Sequence, residues 1–121
     1  MIFLIDDDEI QNLINSKVIE VTASGFDVQA FTSAEKALEV LESGESPSLI
    51  FLDINMPKMN GWDFLDACGT KGLKPRTYML SSSINNKDIA RSETYDLVRG
   101  FICKPLVVER LQEILGTEQF A

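Results

Sequence analysis

The sequence predicts an α/β fold in which a doubly wound, five-stranded parallel sheet carries five helices, distributed over both of its faces. Strand and helix signals alternate along the whole 121-residue chain, which favours βαβ units with right-handed crossovers. Two apolar tetrads, Ile2–Ile5 and Leu49–Leu52, run directly into aspartate, and such short uninterrupted runs are typical of buried parallel strands. The length suits one domain, and we expect residues 1–121 to form it.

The first three elements follow from two apolar runs and the helical period between them. After the strand Ile2–Ile5, apolar residues recur every three to five positions over residues 9–23, and this spacing predicts a helix. Asp8 is placed to cap that helix at its N-terminus. Gly25 stands where a glycine commonly ends a helix. Residues 26–31 predict the second strand.

The middle of the chain repeats this alternation with clear turn signals. Residues 32–35 have the form of a capping box that opens a helix, and Gly44 is expected to stop it. Residues 48–52 predict the third strand. Residues 55–61 contain a proline and a glycine and are expected to form a loop. A short helix over residues 62–68 follows.

Two further strands and two further helices complete the pattern. Residues 77–80 and 101–103 predict the fourth and fifth strands. The helix expected over residues 86–97 has few apolar positions, so we expect it to be weakly held by the core. The last helix is expected over residues 105–115, with Pro105 suited to its first turn.

The composition excludes several classes of function. The formal net charge is −8 at pH 7, and an acidic chain binds nucleic acid poorly because that affinity comes mainly from cations that meet phosphates. The chain has no histidine, which removes serine–histidine and cysteine–histidine catalysis. No apolar run approaches the roughly 18 residues of a membrane span, and no signal peptide or disulfide framework is indicated. We therefore expect a cytoplasmic protein.

Charged and polar side chains follow the strands at the point where each strand ends. Asp6 and Asp7 follow the first strand, Asp53 the third, Ser81 the fourth and Lys104 the fifth. Ligands of open α/β sheets bind at the carboxyl ends of the strands, so we expect these side chains to share one site. Two carboxylates about 4 Å apart repel by about 4 kcal/mol at an effective dielectric constant of about 20. A hard divalent cation, Mg²⁺ or Ca²⁺, would offset that repulsion.

Four motifs stand in a fixed order along the chain: Asp6-Asp7 after an apolar strand, Asp53-Ile54-Asn55-Met56-Pro57 with Gly61, Ser81 after Met79-Leu80, and Lys104-Pro105 after Gly100-Phe101-Ile102-Cys103. Through these motifs the chain resembles the receiver domain of two-component response regulators over its whole length. The resemblance implies a flavodoxin-like strand order 2-1-3-4-5 and a single receiver domain over residues 1–121, with no output domain in this chain. It also implies a cis bond between Lys104 and Pro105, which is uncommon for X–Pro bonds in general.

The resemblance implies a phosphoacceptor and a metal site. Asp53 would accept a phosphoryl group as a carboxylate nucleophile. Asp7 would bind Mg²⁺ directly, Asp6 would do so through water or act as a supporting acid, and Asp53 and the backbone carbonyl of Asn55 would complete the protein ligands. The chain would not be an enzyme beyond the Mg²⁺-dependent phosphorylation of Asp53 and the hydrolysis of its own acyl phosphate.

Three further residues would respond to the phosphoryl group. Lys104 would pair with its oxygens, and Ser81 would donate its hydroxyl once Asp53 is modified. Phe101 would then swing inward, so that Ser81 and Phe101 form the switch. The family usually has threonine in place of Ser81 and often tyrosine in place of Phe101. Serine lacks the methyl group that stiffens χ1, and phenylalanine has no hydroxyl to donate.

The phosphodonor is expected on another protein because this chain has no histidine. The resemblance implies a histidine kinase or a histidine phosphotransfer protein. We expect a downstream protein partner on residues 84–115, homodimer formation as one further mode of association, and no direct contact with nucleic acid or membrane.

Two alternatives stay open. One is a receiver-like interaction module that is not phosphorylated. The other is a small-molecule phosphatase, which is less favoured because such enzymes usually need a second aspartate two residues after the nucleophile, where this chain has Asn55.

Overall fold

The computed structural model describes residues 1–82 and 85–118, which contain five strands and five helices. The strands are β1 (Ile2–Ile5), β2 (Val28–Phe31), β3 (Leu49–Leu52), β4 (Thr77–Ser81) and β5 (Val98–Cys103). The helices are α1 (Glu9–Thr22), α2 (Ala34–Glu42), α3 (Gly61–Thr70), α4 (Asn86–Ser92) and α5 (Val108–Thr117). In these ranges, every helix falls short of the length and apolarity that a membrane crossing requires.

The strands form one parallel sheet in the order β2-β1-β3-β4-β5, which confirms the expected topology. Ile5 on β1 lies opposite Phe31 on one side and Leu52 on the other. β1 and β3 are buried along their whole length, which explains why their sequences are uninterrupted apolar tetrads. Because the order of the strands reverses between β1 and β3, Asp6 and Asp53 leave the sheet side by side at the usual position of a ligand site.

Alternate residues of the central strands face opposite sides of the sheet and build two cores. Phe3 and Ile5 pack with buried residues of α2 and α3, whereas Ile2 and Leu4 pack with buried residues of α1 and α5. Helices therefore cover both faces, as the doubly wound fold requires. Full burial of a side chain such as Phe3 contributes roughly 1.5–3 kcal/mol.

The predicted N-terminal cap is confirmed for α1 and is wrong for α2. Asp8 caps α1, since its side chain accepts the N–H of Ile10 at 2.9 Å. The capping box expected over residues 32–35 is wrong. The N-cap of α2 is Ser33, whose Oγ accepts the N–H of Lys36 at 3.2 Å. This shift of one residue moves the glutamate of the expected box away from the position where it could close the box.

At the C-terminal ends of these helices, the predicted stop at Gly44 is confirmed for α2 and the predicted stop at Gly25 is wrong for α1. Gly44 follows α2 with φ +107°, which is the left-handed conformation that favours glycine. Gly25 does not end α1, because the helix already closes at Ala23, whose N–H donates to the carbonyl of Ile19 at 2.7 Å.

β5 is longer than the strand expected over residues 101–103. It begins at Val98, which pairs with Thr77. A register shift then places Gly100 opposite Tyr78, and a Cβ on Gly100 would lie 3.0 Å from the ring of Tyr78. A glycine that is needed for this close approach weakens the local strand signal, which is why the start of β5 was missed.

α4 is shorter than the helix expected over residues 86–97 and ends at Ser92. Tyr95 lies beyond this end and contacts α3. Its ring stacks on Trp62 with the ring centroids 5.9 Å apart, and its hydroxyl donates to Asp66 at 2.9 Å. A contact between distant parts of the chain therefore takes these residues out of the helix.

α5 begins at Val108 and not at Pro105. The peptide bond between Lys104 and Pro105 is cis, as expected. Leu106 is buried, and its N–H donates to Oδ1 of Asn15 at 3.1 Å. The backbone before α5 is thus bound by a side chain of α1 instead of forming the first helical turn.

Candidate functional site

Three carboxylates and one ammonium group meet at the carboxyl ends of β1, β3 and β5. One oxygen from each of Asp6, Asp7 and Asp53 lies within 4.8 Å of the others. Asp6 and Asp53 are buried, and Asp7 is exposed. Nζ of Lys104 lies 2.6 Å from Oδ2 of Asp6 and 3.1 Å from Oδ1 of Asp53. Four of the residues expected at the strand ends therefore share one small volume.

Lys104 places a positive charge between two buried carboxylates. Only 10% of its side chain is exposed. Buried charges are tolerated when they are paired and hydrogen-bonded, and one ammonium group here serves both Asp6 and Asp53. Three carboxylates against one ammonium still leave the cluster negative overall, so its charge favours a further cation.

Burial disfavours the charged form of both Asp53 and Lys104, and their neighbours change this balance. Burial and the Asp6 carboxylate raise the pKa of Asp53, while the Lys104 ammonium and the Ile54 N–H, 2.9 Å from Oδ1, offset part of the rise. Burial lowers the pKa of Lys104, but its hydrogen bond to Asp6 and the charge of Asp53 outweigh burial, so that this pKa is raised overall. Lys104 is therefore protonated at neutral pH.

Hydrogen bonds within and from α1 hold the segment that follows β1. The N–H of Asp8 donates to Oδ1 of Asp6 at 2.9 Å and orients that carboxylate. Nδ2 of Asn12 donates to the backbone carbonyls of Asp6 at 3.0 Å and of Phe31 at 3.2 Å. The position of Asp6 is thus tied to both α1 and the end of β2.

Asn12 and Asn15 are not among the site residues that the sequence pointed to. Both are buried, and together with Ile19 they form the side of α1 that faces the sheet. Their spacing puts all three on one face of a helix, which is the signal that could have identified them. The signal is hard to recognise because apolar residues such as Ile10 and Leu13 lie on the exposed side of α1, where polar residues are expected.

The loop after β3 runs close to the backbone of Asp53. The N–H of Gly61 donates to the carbonyl of Ile54 at 2.8 Å. A Cβ on Gly61 would lie 2.6 Å from the carbonyl oxygen of Asp53, so only glycine permits this approach. Asn55 lies two residues after Asp53 and has an exposed side chain, while Met56 is buried in the core.

Ser81 and Phe101 lie on the two neighbouring strands. Ser81 is buried at the end of β4, and its carbonyl accepts the N–H of Lys104 at 2.7 Å. Phe101 on β5 is half-buried, packs against the core that contains Met79, and lines a cleft of about 200 Å³ beside α4. Phe101 therefore belongs to that cleft and core and is not one of the charged group.

The fold and this group of residues define a class of protein. A family model described as the response regulator receiver domain matches residues 2–116. The chain belongs to this family, which is a family of signalling domains and not of catalytic enzymes.

Two curated relatives illustrate the family. The nitrate/nitrite response regulator protein NarL of Escherichia coli K12 is 34% identical over 88 residues, which cover 73% of this chain and 40% of NarL. The transcriptional regulatory protein DcuR of the same strain is 31% identical over 116 residues, which cover 94% of this chain and 48% of DcuR. The chain thus spans less than half the length of these two relatives.

Solved structures agree with this assignment. A two-component response regulator from Cytophaga hutchinsonii matches with a TM-score of 0.87 and 34% identity, over 96% of this chain and 93% of that one. A two-component response regulator from Legionella pneumophila matches with a TM-score of 0.85 and 27% identity, over 98% and 96% of the two chains. The match extends over nearly the whole sheet and its helices.

The raised pKa of Asp53 predicts that Asp53→Asn stabilises the metal-free protein at neutral pH. Because the pKa of Asp53 is higher in the folded state, its ionisation costs stability as the pH rises through the folded-state pKa. We expect the melting temperature of Asp53→Asn to exceed that of wild type by several degrees near pH 7. The difference should shrink towards about pH 4, the ordinary range of a carboxyl pKa.

Thermal unfolding in the presence of a chelator measures this difference. Asp96→Asn is the matched control, since Asp96 is exposed and its replacement removes the same charge from the surface. A melting temperature of Asp53→Asn equal to or below that of wild type at neutral pH would contradict the prediction.

The contact at Gly61 predicts that Gly61→Ala is destabilising. The new Cβ would force apart the backbones of Asp53 and Gly61, and such overpacking costs about 1–3 kcal/mol. A Cβ on Gly69, in the same helix, would enter open space, so Gly69→Ala should instead stabilise by about 0.5–1 kcal/mol. Urea unfolding of both variants measures this contrast, and equal effects would refute it.

Proposed function

We propose that this chain is the phosphoacceptor of a two-component signalling pathway and that Asp53 receives the phosphoryl group from a histidine of a partner protein. The observation that carries the proposal is the contact of Lys104 with both Asp6 and Asp53. This contact brings together a carboxylate nucleophile (Asp53), a cation for phosphoryl oxygens (Lys104) and a further carboxylate for a metal (Asp6). Membership of the receiver family supports the same conclusion.

In the proposed transfer, one bond to phosphorus forms and one bond to phosphorus breaks. An oxygen of the Asp53 carboxylate attacks the phosphorus, and the bond from phosphorus to the partner's imidazole nitrogen breaks. The electron pair of that bond stays on the nitrogen, which solvent can protonate, and Asp53 becomes an acyl phosphate. Such a transfer needs mainly positioning and neutralisation of charge, and Lys104 supplies one positive charge to the phosphoryl oxygens. Hydrolysis of the acyl phosphate is the only further reaction that we propose.

Asp6, Asp7, Asp53 and the backbone carbonyl of Asn55 are the proposed protein ligands of Mg²⁺. The residues fit the ion, since three carboxylates offer oxygens within 4.8 Å of one another and Mg²⁺ prefers oxygen ligands. When bound, Mg²⁺ neutralises negative charge on phosphoryl oxygens and on the carboxylates around them.

Ser81 and Phe101 are the proposed switch residues. Ser81 would donate its hydroxyl to the phosphoryl group on Asp53, and its backbone is already joined to Lys104. The half-buried ring of Phe101, beside the cleft under α4, would then move inward. Because phenylalanine has no hydroxyl, the change would be transmitted by packing alone.

A downstream partner is proposed to bind the face formed by α4, β5 and α5, within residues 84–115, of which residue 84 lies outside the described residues. α4 has seven residues, and Ser92 is the one buried residue among them. An element with so little burial shifts at a low cost in free energy. Self-association of the chain through the same face would give a homodimer.

The phosphodonor is proposed to be a histidine kinase or a histidine phosphotransfer protein. The first half of α1, which starts beside the acidic cluster, exposes Ile10, Leu13 and Ile14 by 68%, 60% and 41%. Exposed apolar side chains in one region mark sites of protein interaction. A partner that covers them would sit next to Asp53.

The cysteines support a reducing compartment. Both Cys68 and Cys103 are free thiols, and burial raises the pKa of Cys68 to about 11, so that this thiol is unreactive at neutral pH. Free thiols are normal in the cytoplasm, and we propose that the domain acts there.

Phosphorylation by a small donor tests the function. Acetyl phosphate with Mg²⁺ should add one phosphoryl group to wild type and none to Asp53→Asn, as intact-mass spectrometry reads it. Lys104→Met should slow the reaction by about 10²-fold or more, because the cation for the developing charge is lost. Lys74→Ala, which removes an exposed lysine, should react as wild type does. An adduct on Asp53→Asn would show that another residue accepts the phosphoryl group. An unmodified wild-type protein would favour the alternative of a receiver-like interaction module that is not phosphorylated.

Hydrogen–deuterium exchange tests the switch. Binding of beryllofluoride, a phosphoryl mimic, should change the protection of residues 85–110, because this segment contains α4 and β5. α2 (Ala34–Glu42) packs against β1 and β2, and β2 is the edge strand opposite to β5, so α2 should keep its protection. Equal protection of residues 85–110 with and without the mimic would contradict the proposed partner face.

A further inference from the structure

Helix α1 buries polar side chains and exposes apolar ones. Its buried residues are Asn12, Asn15 and Ile19, whereas Ile10 is 68% exposed and Leu13 is 60% exposed. A buried amide costs free energy unless it makes hydrogen bonds, and an apolar side chain would pack against the sheet without that cost. The two asparagines therefore serve something other than packing.

Asn15 binds the segment that carries Lys104. The N–H of Leu106 donates to Oδ1 of Asn15 at 3.1 Å, and each of these two residues is 1% exposed. Because Leu106 precedes α5, its N–H has no partner in the helical ladder. Before this point, the N–H of Lys104 donates to the carbonyl of Ser81 at 2.7 Å. The backbone around Lys104 is thus held by β4 on one side and by α1 on the other.

Asn12, one turn earlier, holds the other partner of the ion pair. Its Nδ2 donates to the carbonyls of Asp6 and Phe31 at 3.0 and 3.2 Å. Residues three apart are neighbours on one face of a helix, so one rigid helix carries an amide for each segment. The two segments are joined by the ion pair of Lys104 and Asp6, whose Nζ and Oδ2 atoms lie 2.6 Å apart.

We propose that Asn15 is a positioning residue for Lys104, with Asn12 as its counterpart for Asp6. Asn15 fixes the backbone from which the ammonium group reaches Asp53. The proposal rests on the function proposed for Asp53 and adds a division of roles to it. Asn15 serves the transfer of the phosphoryl group, and Asn12 serves the binding of the cation.

A double-mutant cycle tests the role of Asn15. Asn15→Leu removes the acceptor at similar volume and should slow phosphorylation by acetyl phosphate about 10- to 100-fold. It should not weaken the binding of Mg²⁺, measured by calorimetry, because a displaced Lys104 ammonium competes less with the metal for Asp6 and Asp53. In the Lys104→Met background, Asn15→Leu should cause no further loss, because residues that act through one another are not additive. Asn12→Leu should instead weaken the binding of Mg²⁺.

Three more variants control this cycle. Asn15→Asp keeps an acceptor oxygen in the same place and should retain most of the wild-type rate. Glu20→Ala changes an exposed position of the same helix and should react as wild type does. Asn15→Ser is too short to reach Leu106 but stays polar, and it replaces Asn15→Leu if thermal unfolding shows that the leucine variant does not fold.

Two results would overturn the role of Asn15. One is a wild-type rate in Asn15→Leu, or in Asn15→Ser where the leucine variant does not fold, and the other is an additional loss of the same size in the Lys104→Met background. Failure of the wild-type chain to take up the phosphoryl group would instead overturn the function proposed for Asp53. The two failures are therefore distinguishable in one set of measurements.

Discussion

The contact of one ammonium group with two buried carboxylates is the interaction on which the rest of this site depends. Asp6 and Asp53 leave neighbouring strands side by side, and Lys104 Nζ lies 2.6 and 3.1 Å from their oxygens. Without that charge, the two carboxylates would repel each other in a region from which water is largely excluded. In the function that we propose, the same three groups would serve as the nucleophile, the cation and one metal ligand of a phosphoryl transfer.

The fold serves this contact by fixing the backbone on both sides of it. β1 and β3 carry the carboxylates out of the sheet at the point where strand order reverses, and β5 brings the lysine to the same edge. α1 then ties the segments together through Asn12 and Asn15, at the cost of burying two amides. The buried polar side chains of α1 thus support the site, and the exposed apolar side chains of the same helix are the surface that we propose for the phosphodonor.

Features that depend on local sequence patterns could be predicted from the sequence, whereas features that depend on contacts between distant residues could not. The buried strands and the group of Asp6, Asp53 and Lys104 followed from apolar runs that end in charged residues, whereas the strand order followed from the resemblance of the chain to receiver domains. The start of α5 was missed because Leu106 bonds a side chain that is 91 residues away in the chain. The end of α4 was missed because Tyr95 stacks on a ring in α3. Periodicity and turn signals do not predict contacts between distant residues. The contacts of Lys104 with both Asp6 and Asp53 are of this kind.

The most direct test of the central claim is the pKa of Asp53, measured by carbon-13 NMR titration of the carboxyl groups in metal-free buffer. In the wild-type protein this pKa should lie above the ordinary aspartate range, because burial and Asp6 raise it. In Lys104→Met it should rise further, because the ammonium group that favours the ionised form is gone. An Asp53 pKa that is the same in both proteins would contradict the claim that Lys104 is the counter-charge of this site.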